Sequence, residues 1–130
     1  MFVLVLECST TSAKAMYYDT EHESYEVLSR PYEPDFPGEP TLFNPEHVFE
    51  QMLAVGRETV RGRRVDIIAL CSAWHSIGLF DKKFDPVTPM YQWSNNLGDE
   101  LCTRYRADAS YTQQYYETTG CMVNAIYPFF

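Results

Sequence analysis

The sequence predicts an α/β domain whose mixed sheet begins as an antiparallel meander and continues, through a crossover helix, into a parallel strand. Three features carry that prediction: an apolar, β-branched opening run at Phe2–Cys8, an amphipathic helical pattern starting at Asn44-Pro45, and a second apolar run at Val65–Cys71. Strand, helix and strand in that order form a crossover unit, which joins neighbours of a parallel pair.

The opening run stops at Ser9-Thr10-Thr11-Ser12, small hydroxyl residues suited to a turn, and Lys14–Tyr18 then reads as the returning strand of a hairpin. Tyr25–Ser29 is a third strand, closed by Pro31, and a loop containing Pro31, Pro34, Pro37, Gly38 and Pro40 crosses to Asn44. The Asn44 side chain can cap free N–H groups while Pro45 occupies a first turn that needs no donor. Val48, Phe49, Met52, Leu53, Val55 and Val60 recur at helical intervals, with Gly62 as the stop. Val65–Cys71 is the most hydrophobic run after the first strand and reads as a central strand buried on both faces and parallel to its neighbour. Meander, crossover helix and parallel strand together compose the start of a ribonuclease H-like, actin-like ATPase layer, the N-terminal part of a first lobe. Beyond it, Ile77–Phe80 reads as a strand, Asp81–Asp85 as a turn and Tyr91–Trp93 as a short strand. Helices are expected over Gly98–Ala107 and Ser110–Thr118, closed by Gly120. No internal repeat interrupts the pattern, and the Pro-rich loop is too short to link domains.

The chain has 130 residues, with ten Lys and Arg against eighteen Asp and Glu, for a net charge of −8. That length supports one core, so residues 1–130 are expected to form a single domain. The 45% apolar and 15% aromatic content argues against a disordered tail. The negative charge argues against nucleic acid and anionic membranes, since the basic cluster Arg61, Arg63 and Arg64 is too small to offset it. Phe2–Leu6 is too short for a signal-peptide core, and no stretch approaches the roughly 20 apolar residues of a membrane span. The expected location is cytoplasmic. Cys8, Cys71, Cys102 and Cys121 are widely spaced and show no ligand spacing with His22, His47 or His75, which argues against structural zinc. Cys8 and Cys71, inside apolar runs, read as buried thiols in a reducing compartment. The last segment, Ile126-Tyr-Pro-Phe-Phe130, is apolar, and two readings stay open: a strand tucked into the core, or a chain cut before the rest of its fold.

Three constellations could carry chemistry. In the hairpin Glu7–Lys14, the turn Ser9, Thr10, Thr11 and Ser12 gathers N–H groups and hydroxyls in one concavity; Lys14 adds positive charge, and Glu7 could order a magnesium ion or a water. After the apolar run come Trp74 and His75, placed where ligands of open α/β sheets collect, at the carboxyl end of a strand. Trp93, Asn95 and Asn96 join an apolar ring to amides, a combination suited to a polyol.

In this order the three pieces resemble the N-terminal portion of the FGGY carbohydrate kinases, most like the gluconate kinase and xylulokinase branch. The family's opening L-G-I-D-x-G-T-T-S-x-K hairpin resembles Leu4-Val-Leu-Glu-Cys-Ser-Thr-Thr-Ser-Ala-Lys14. Its I-x-x-I-x-x-S-x-A/Q-M-H-x-L-x-x-x-D segment looks like Ile67–Asp81, and its P-x-x-x-W-x-D-x-R segment is partly matched by Pro89–Leu97. Thr119-Gly120 stands where the family ends a helix in T-G.

The resemblance implies that Ser9, Thr10, Thr11, Ser12 and Lys14 face ATP phosphates, that Trp74, His75, Trp93 and Asn95 line a sugar pocket, and that Glu7 acts on magnesium indirectly. ATP and Mg2+ are implied as cofactors of the full-length family, with the case left open that this chain binds neither. The expected partners are a sugar or sugar acid such as xylulose or gluconate, and either the remainder of a kinase polypeptide or a second copy met through the apolar C-terminus. The family's aspartate general base lies in a D-x-G-A-type segment absent from these residues, so no catalytic residue is assigned here and the chain alone is expected to be inactive. Four positions depart from the pattern: Glu7 for Asp, Ser9 for the first turn glycine, Asn95 for Asp and Leu97 for Arg. These leave a degenerate sugar- or partner-binding module as the alternative. A ribonuclease H-like nuclease would need clustered carboxylates for two metals, and only Glu7 is placed for that.

Overall fold

The structure, a computed structural model, describes residues 1–127. Pro128, Phe129 and Phe130, the end of the apolar C-terminal segment, lie outside the described residues, and with them the expectation of a C-terminal strand. The elements are β1 (Phe2–Cys8), β2 (Ser12–Asp19), β3 (Ser24–Pro31), β4 (Leu42–Phe43), α1 (Pro45–Val60), β5 (Ile67–Ser72), β6 (Met90–Tyr91), α2 (Asp99–Arg106) and α3 (Ala109–Thr119). The main sheet runs β3-β2-β1-β5, antiparallel except for the parallel pair β1–β5, and β4 pairs with β6 separately.

Side-chain alternation sets the faces of β1. Leu4 and Leu6 point to the side covered by α1, where they meet Ala13, Ala15 and the fully buried Val55. Small residues let helix and sheet approach closely. A Cβ added at Gly56 would stand 2.7 Å from Leu6 Cδ2, so any larger residue there would push the Leu6 side chain aside. Asn44 caps α1 by accepting from the N–H of Glu46 at 3.0 Å, and its own N–H donates to Asp35 at 2.8 Å. Asp35 also meets the His47 ring, which fastens the Pro-rich loop to the helix start. At the other end, Arg61 takes the left-handed position (φ 50°) one residue before Gly62, which is also left-handed (φ 74°).

The structure corrects the reading of the second apolar run. β5 is parallel to β1, in register Val3 with Ile67 through Cys8 with Ser72, but it is the sheet's edge and not its centre. Ile68 and Leu70 are 60% and 74% exposed, because α1 lies over β1, β2 and β3. An apolar run shows that both faces of a strand are fit for burial, not that its own chain supplies the cover. Cys71 is accordingly exposed, against expectation. Cys8 is half-buried and donates to Met52 Sδ at 3.2 Å; burial pushes its thiol pKa up, opposed by a hydrogen bond with Tyr32.

Ile77–Phe80 is likewise not a regular strand. Ile77 and Tyr91 exchange backbone bonds of 3.0 and 2.7 Å, but the N–H of Leu79 goes to the Thr88 hydroxyl at 3.0 Å, which interrupts a ladder. The turn at Asp81–Asp85 forms as expected, the Asp81 carboxylate accepting from the N–H groups of Lys83 and Asp85. The expected strand at Tyr91–Trp93 is observed as Met90–Tyr91, and its partner β4 lies in the Pro-rich loop, where none was expected. α2 and α3 match expectation within a residue or two, α3 being capped by Asp108 and closed by Gly120 at φ 73°. Among the described residues no helix is long and apolar enough to cross a membrane.

Candidate functional site

Because β1 and β5 are parallel and neighbouring, their carboxyl ends emerge side by side. The Ala73 N–H extends the ladder by donating to the Cys8 carbonyl at 2.7 Å. The Ser9–Thr11 bend and the Trp74-His75 segment therefore share one rim. Between them opens a cleft of about 360 Å3 lined by Glu7, Ser9, Thr10, Ser72, Ala73, Trp74, His75 and Trp93.

His75 is a non-glycine residue at φ 63°, a left-handed conformation that side chains rarely adopt. This turn stacks its ring on Trp74 (centroids 4.5 Å apart, 16° between planes) and sets its edge geometry against Tyr127 at 5.1 Å. Trp74 itself is 80% exposed, a large apolar ring held over the cleft.

His75 also lines a second, more apolar cavity of about 310 Å3, together with Ile77, Leu79, Tyr91, Gln92, Asn95, Leu97 and Tyr127. Asn95 therefore opens onto this cavity and not onto the cleft with Trp93. Its amide is committed on both sides: Nδ2 donates to Thr41 Oγ1 at 2.8 Å, and Oδ1 accepts from the Leu97 N–H at 2.9 Å.

The bend uses part of its donor set internally. Ser9 Oγ accepts from the N–H groups of Ser12 (3.1 Å) and Thr11 (3.4 Å) and reaches the Ser12 carbonyl at 2.9 Å. Ser12 is buried in this arrangement, whereas Thr11 faces a smaller cavity against Tyr32 and the Pro-rich loop. Lys14 sits directly across from Glu7 on β2 and donates to its carboxylate at 3.1 Å, both side chains being about one-third exposed. It does not line the cleft. The structure thus gathers Glu7, Ser9, Thr10, Trp74, His75 and Trp93, joins Asn95 to them through His75, and leaves Thr11, Ser12 and Lys14 behind or beside the rim.

Glu7 is the single carboxylate lining the cleft, it is ion-paired, and among the described residues no group of three His, Cys, Asp or Glu could hold a metal ion. That donor set does not make a resident magnesium site in this chain, because a metal held without substrate phosphates needs more oxygen ligands.

Sequence reasoning missed two residues. Gln92 is buried, and its Nε2 lies 3.4 Å from the Thr10 carbonyl and 3.3 Å from that of Pro40, tying the bend to the Pro-rich loop. An amide inside the apolar run Met90–Trp93 was the available signal, since a buried polar group needs partners. Tyr127, against His75, had no such signal in its own sequence neighbourhood. Beneath the bend, burial raises the Tyr32 phenol pKa, and the nearby Cys8 and Glu7 add to the rise.

The fold, a mixed sheet with helices, is shared with solved sugar kinases. The gluconokinase of Bacillus subtilis (strain 168) is 23% identical over 133 residues, covering 98% of this chain and 25% of that protein. Gluconate kinase from Lactobacillus acidophilus superposes with a TM-score of 0.83 at 16% identity, over 96% of this chain and 26% of that one. Ligand-bound xylulose kinase from the same organism gives 0.82 at 17% identity, with the same coverage. No family model matches. The chain spans about a quarter of the length of these relatives. The resemblance to the N-terminal portion of the FGGY carbohydrate kinases holds in sequence and in fold.

Proposed function

We propose that this chain is the N-terminal, sugar-binding part of an ATP-dependent carbohydrate kinase and forms one partial domain over residues 1–130. The observation that carries the reading is the common cleft, which Ser9 and Thr10 of the bend line together with Trp74, His75 and Trp93. Aromatic faces cover the C–H surfaces of a sugar, and a donor-bearing bend at a strand end suits phosphate. In the complete enzyme the γ-phosphoryl of ATP would pass in line to a sugar hydroxyl whose proton goes to an aspartate base. That base is not among these residues, so the role left to this chain is to hold and orient the acceptor. The uncovered face of β5 is where the remainder of a kinase polypeptide would pack, and the cytoplasm, where ATP and free sugars meet, is the compartment this reading requires.

Titration with xylulose and gluconate, followed by tryptophan fluorescence, tests the site directly. At least one sugar should shift the signal saturably, and Trp93→Ala should weaken its binding by about tenfold or more. In the same tube, ATP, Mg2+ and sugar should give no sustained ADP formation. Steady turnover would overturn the assignment of the base to another segment.

A degenerate binding module is the second reading, favoured by the Ser9 hydroxyl that occupies two bend N–H groups and by the Glu7–Lys14 ion pair. It is separated by calorimetry with ADP: nucleotide binding that weakens in Thr10→Ala supports the phosphate-loop role, and sugar binding without any nucleotide affinity supports the module.

A further inference from the structure

We propose that the groove between α2, α3 and the segment following α3 is a ligand site of its own, separate from the cleft at the ends of β1 and β5, and that it takes a small monocarboxylate with an apolar tail. Two independent observations lead there. The first is charge. Arg106 is the single charged residue lining the groove. Elsewhere Arg63 and Arg64 are paired with Glu26 and Asp66 at 2.8 and 2.7 Å, whereas among the described residues the Arg106 guanidinium meets only the Thr103 hydroxyl, at 3.4 Å. The neighbouring carboxylates do not line the groove and are engaged: Asp108 accepts from the N–H groups of Ser110 and Tyr111, and Glu117 from Gln113 Nε2 at 2.6 Å. Exposed charges further off, which make up most of the net −8, are screened over about 8 Å at physiological salt. Asn124 adds a neutral donor, since its Oδ1 is spent on the Ile126 N–H at 3.1 Å and its Nδ2 hydrogens remain. One guanidinium with an amide donor matches one carboxylate. A phosphate, with nearly two negative charges, would find a single cation.

The second is the apolar surface beside that charge. Tyr116 and Met122 line the same groove while 55% and 67% exposed, and Val123 between helix and strand segment is buried. Helix α3 has no buried residue of its own, so the Tyr116 ring gains no cover from this chain. A ligand tail laid there removes apolar surface from water, and an aromatic tail suits both a phenol ring and a thioether. The groove holds about 350 Å3, within the usual ligand range of about 300–1,000 Å3. It shares no lining residue with the cleft or with the cavity behind His75, so this site stands or falls independently of the sugar reading.

NMR titration of the chain with 3-phenylpropionate, its uncharged amide and acetate decides the matter. The acid should bind saturably, with shifts centred on Arg106, Tyr116 and Met122. The amide should bind about tenfold more weakly, the loss expected when a charged hydrogen bond is removed, and acetate, which has no tail, should also bind more weakly than the acid. Arg106 and Met122 are exposed, so both can be replaced without disturbing the core. Arg106→Gln should lower affinity for the acid about tenfold, and Arg106→Lys should keep part of it. Met122→Ser should weaken 3-phenylpropionate and leave acetate unchanged. Arg104, in the same last turn of α2, does not line the groove, and Arg104→Gln should change nothing. Acid and amide binding alike, an Arg104→Gln loss equal to that of Arg106→Gln, or no saturable binding of 3-phenylpropionate would each overturn the proposal.

Discussion

The α1 side of the sheet and its β5 edge are written in the same apolar alphabet and end in opposite surroundings. Leu4 and Leu6 on β1 are buried under α1, facing Ala13, Ala15 and Val55, while Ile68 and Leu70, paired with those same leucines in the parallel register, stand mostly in solvent. Only coverage differs. Helix α1 is centred over β2 and reaches β1 and β3, so the sheet's cover ends one strand short of its edge. The uncovered strand is also the one that presents Trp74 and His75, and the function proposed here lies at the margin of the core. Stability should therefore be concentrated in the hairpin–helix unit, and the site should tolerate substitution that the core does not.

The largest effect expected is at Leu6. Leu6→Ala removes a side chain packed against Gly56 and Val55, and should cost about 2–5 kcal/mol in urea unfolding, read as a lower midpoint at unchanged slope. A loss below about 1 kcal/mol would mean that the α1 side is as loosely covered as the edge, and the contrast between the two regions would disappear.

Next is the helix cap. Asn44→Ala leaves the Glu46 N–H without its acceptor and should destabilise by about 1 kcal/mol. The Asn44 backbone N–H still reaches Asp35, so loop attachment survives while the cap is lost. Asn44→Asp should keep most of the stability. If the alanine variant proves neutral, the Pro-rich loop and not the cap sets where α1 begins.

What could be read from the sequence follows the range of the interactions. Asn44-Pro45, the Ser9–Ser12 bend and Gly120 act within a few residues of themselves, and each was legible. So was the parallel pairing of β5, because a helix between two apolar runs leaves few alternatives. The meeting of Thr10 with Trp74 and His75 could also be foreseen, since parallel neighbours end at the same edge. What could not be read depends on partners distant in the chain. Gln92 is defined by carbonyls at Thr10 and Pro40, β4 exists only because β6 meets it, and the left-handed turn at His75 has no glycine to announce it. Trp93 and Asn95 are two residues apart yet open onto different cavities, a separation that motif letters do not encode.

The smallest effect expected is the most telling about the edge. Leu70→Lys would ruin a strand buried on both faces, because a charged head would be forced into the core. On β5 the Leu70 side chain is 74% exposed, so the lysine ammonium can stay in water and its stem can lie along the strand. Unfolding free energy should then change by no more than about 0.5 kcal/mol in either direction, the range of ordinary surface positions. The substitution should also reduce binding of a dye that reports exposed apolar surface, since edge strands are commonly protected by lysine in this way. Loss of folding in Leu70→Lys would show that β5 is covered in solution by a second copy of the chain. The same variant in a concentration series would reveal that copy, because self-association makes the unfolding midpoint of the unaltered chain rise with concentration and leaves that of a monomer fixed.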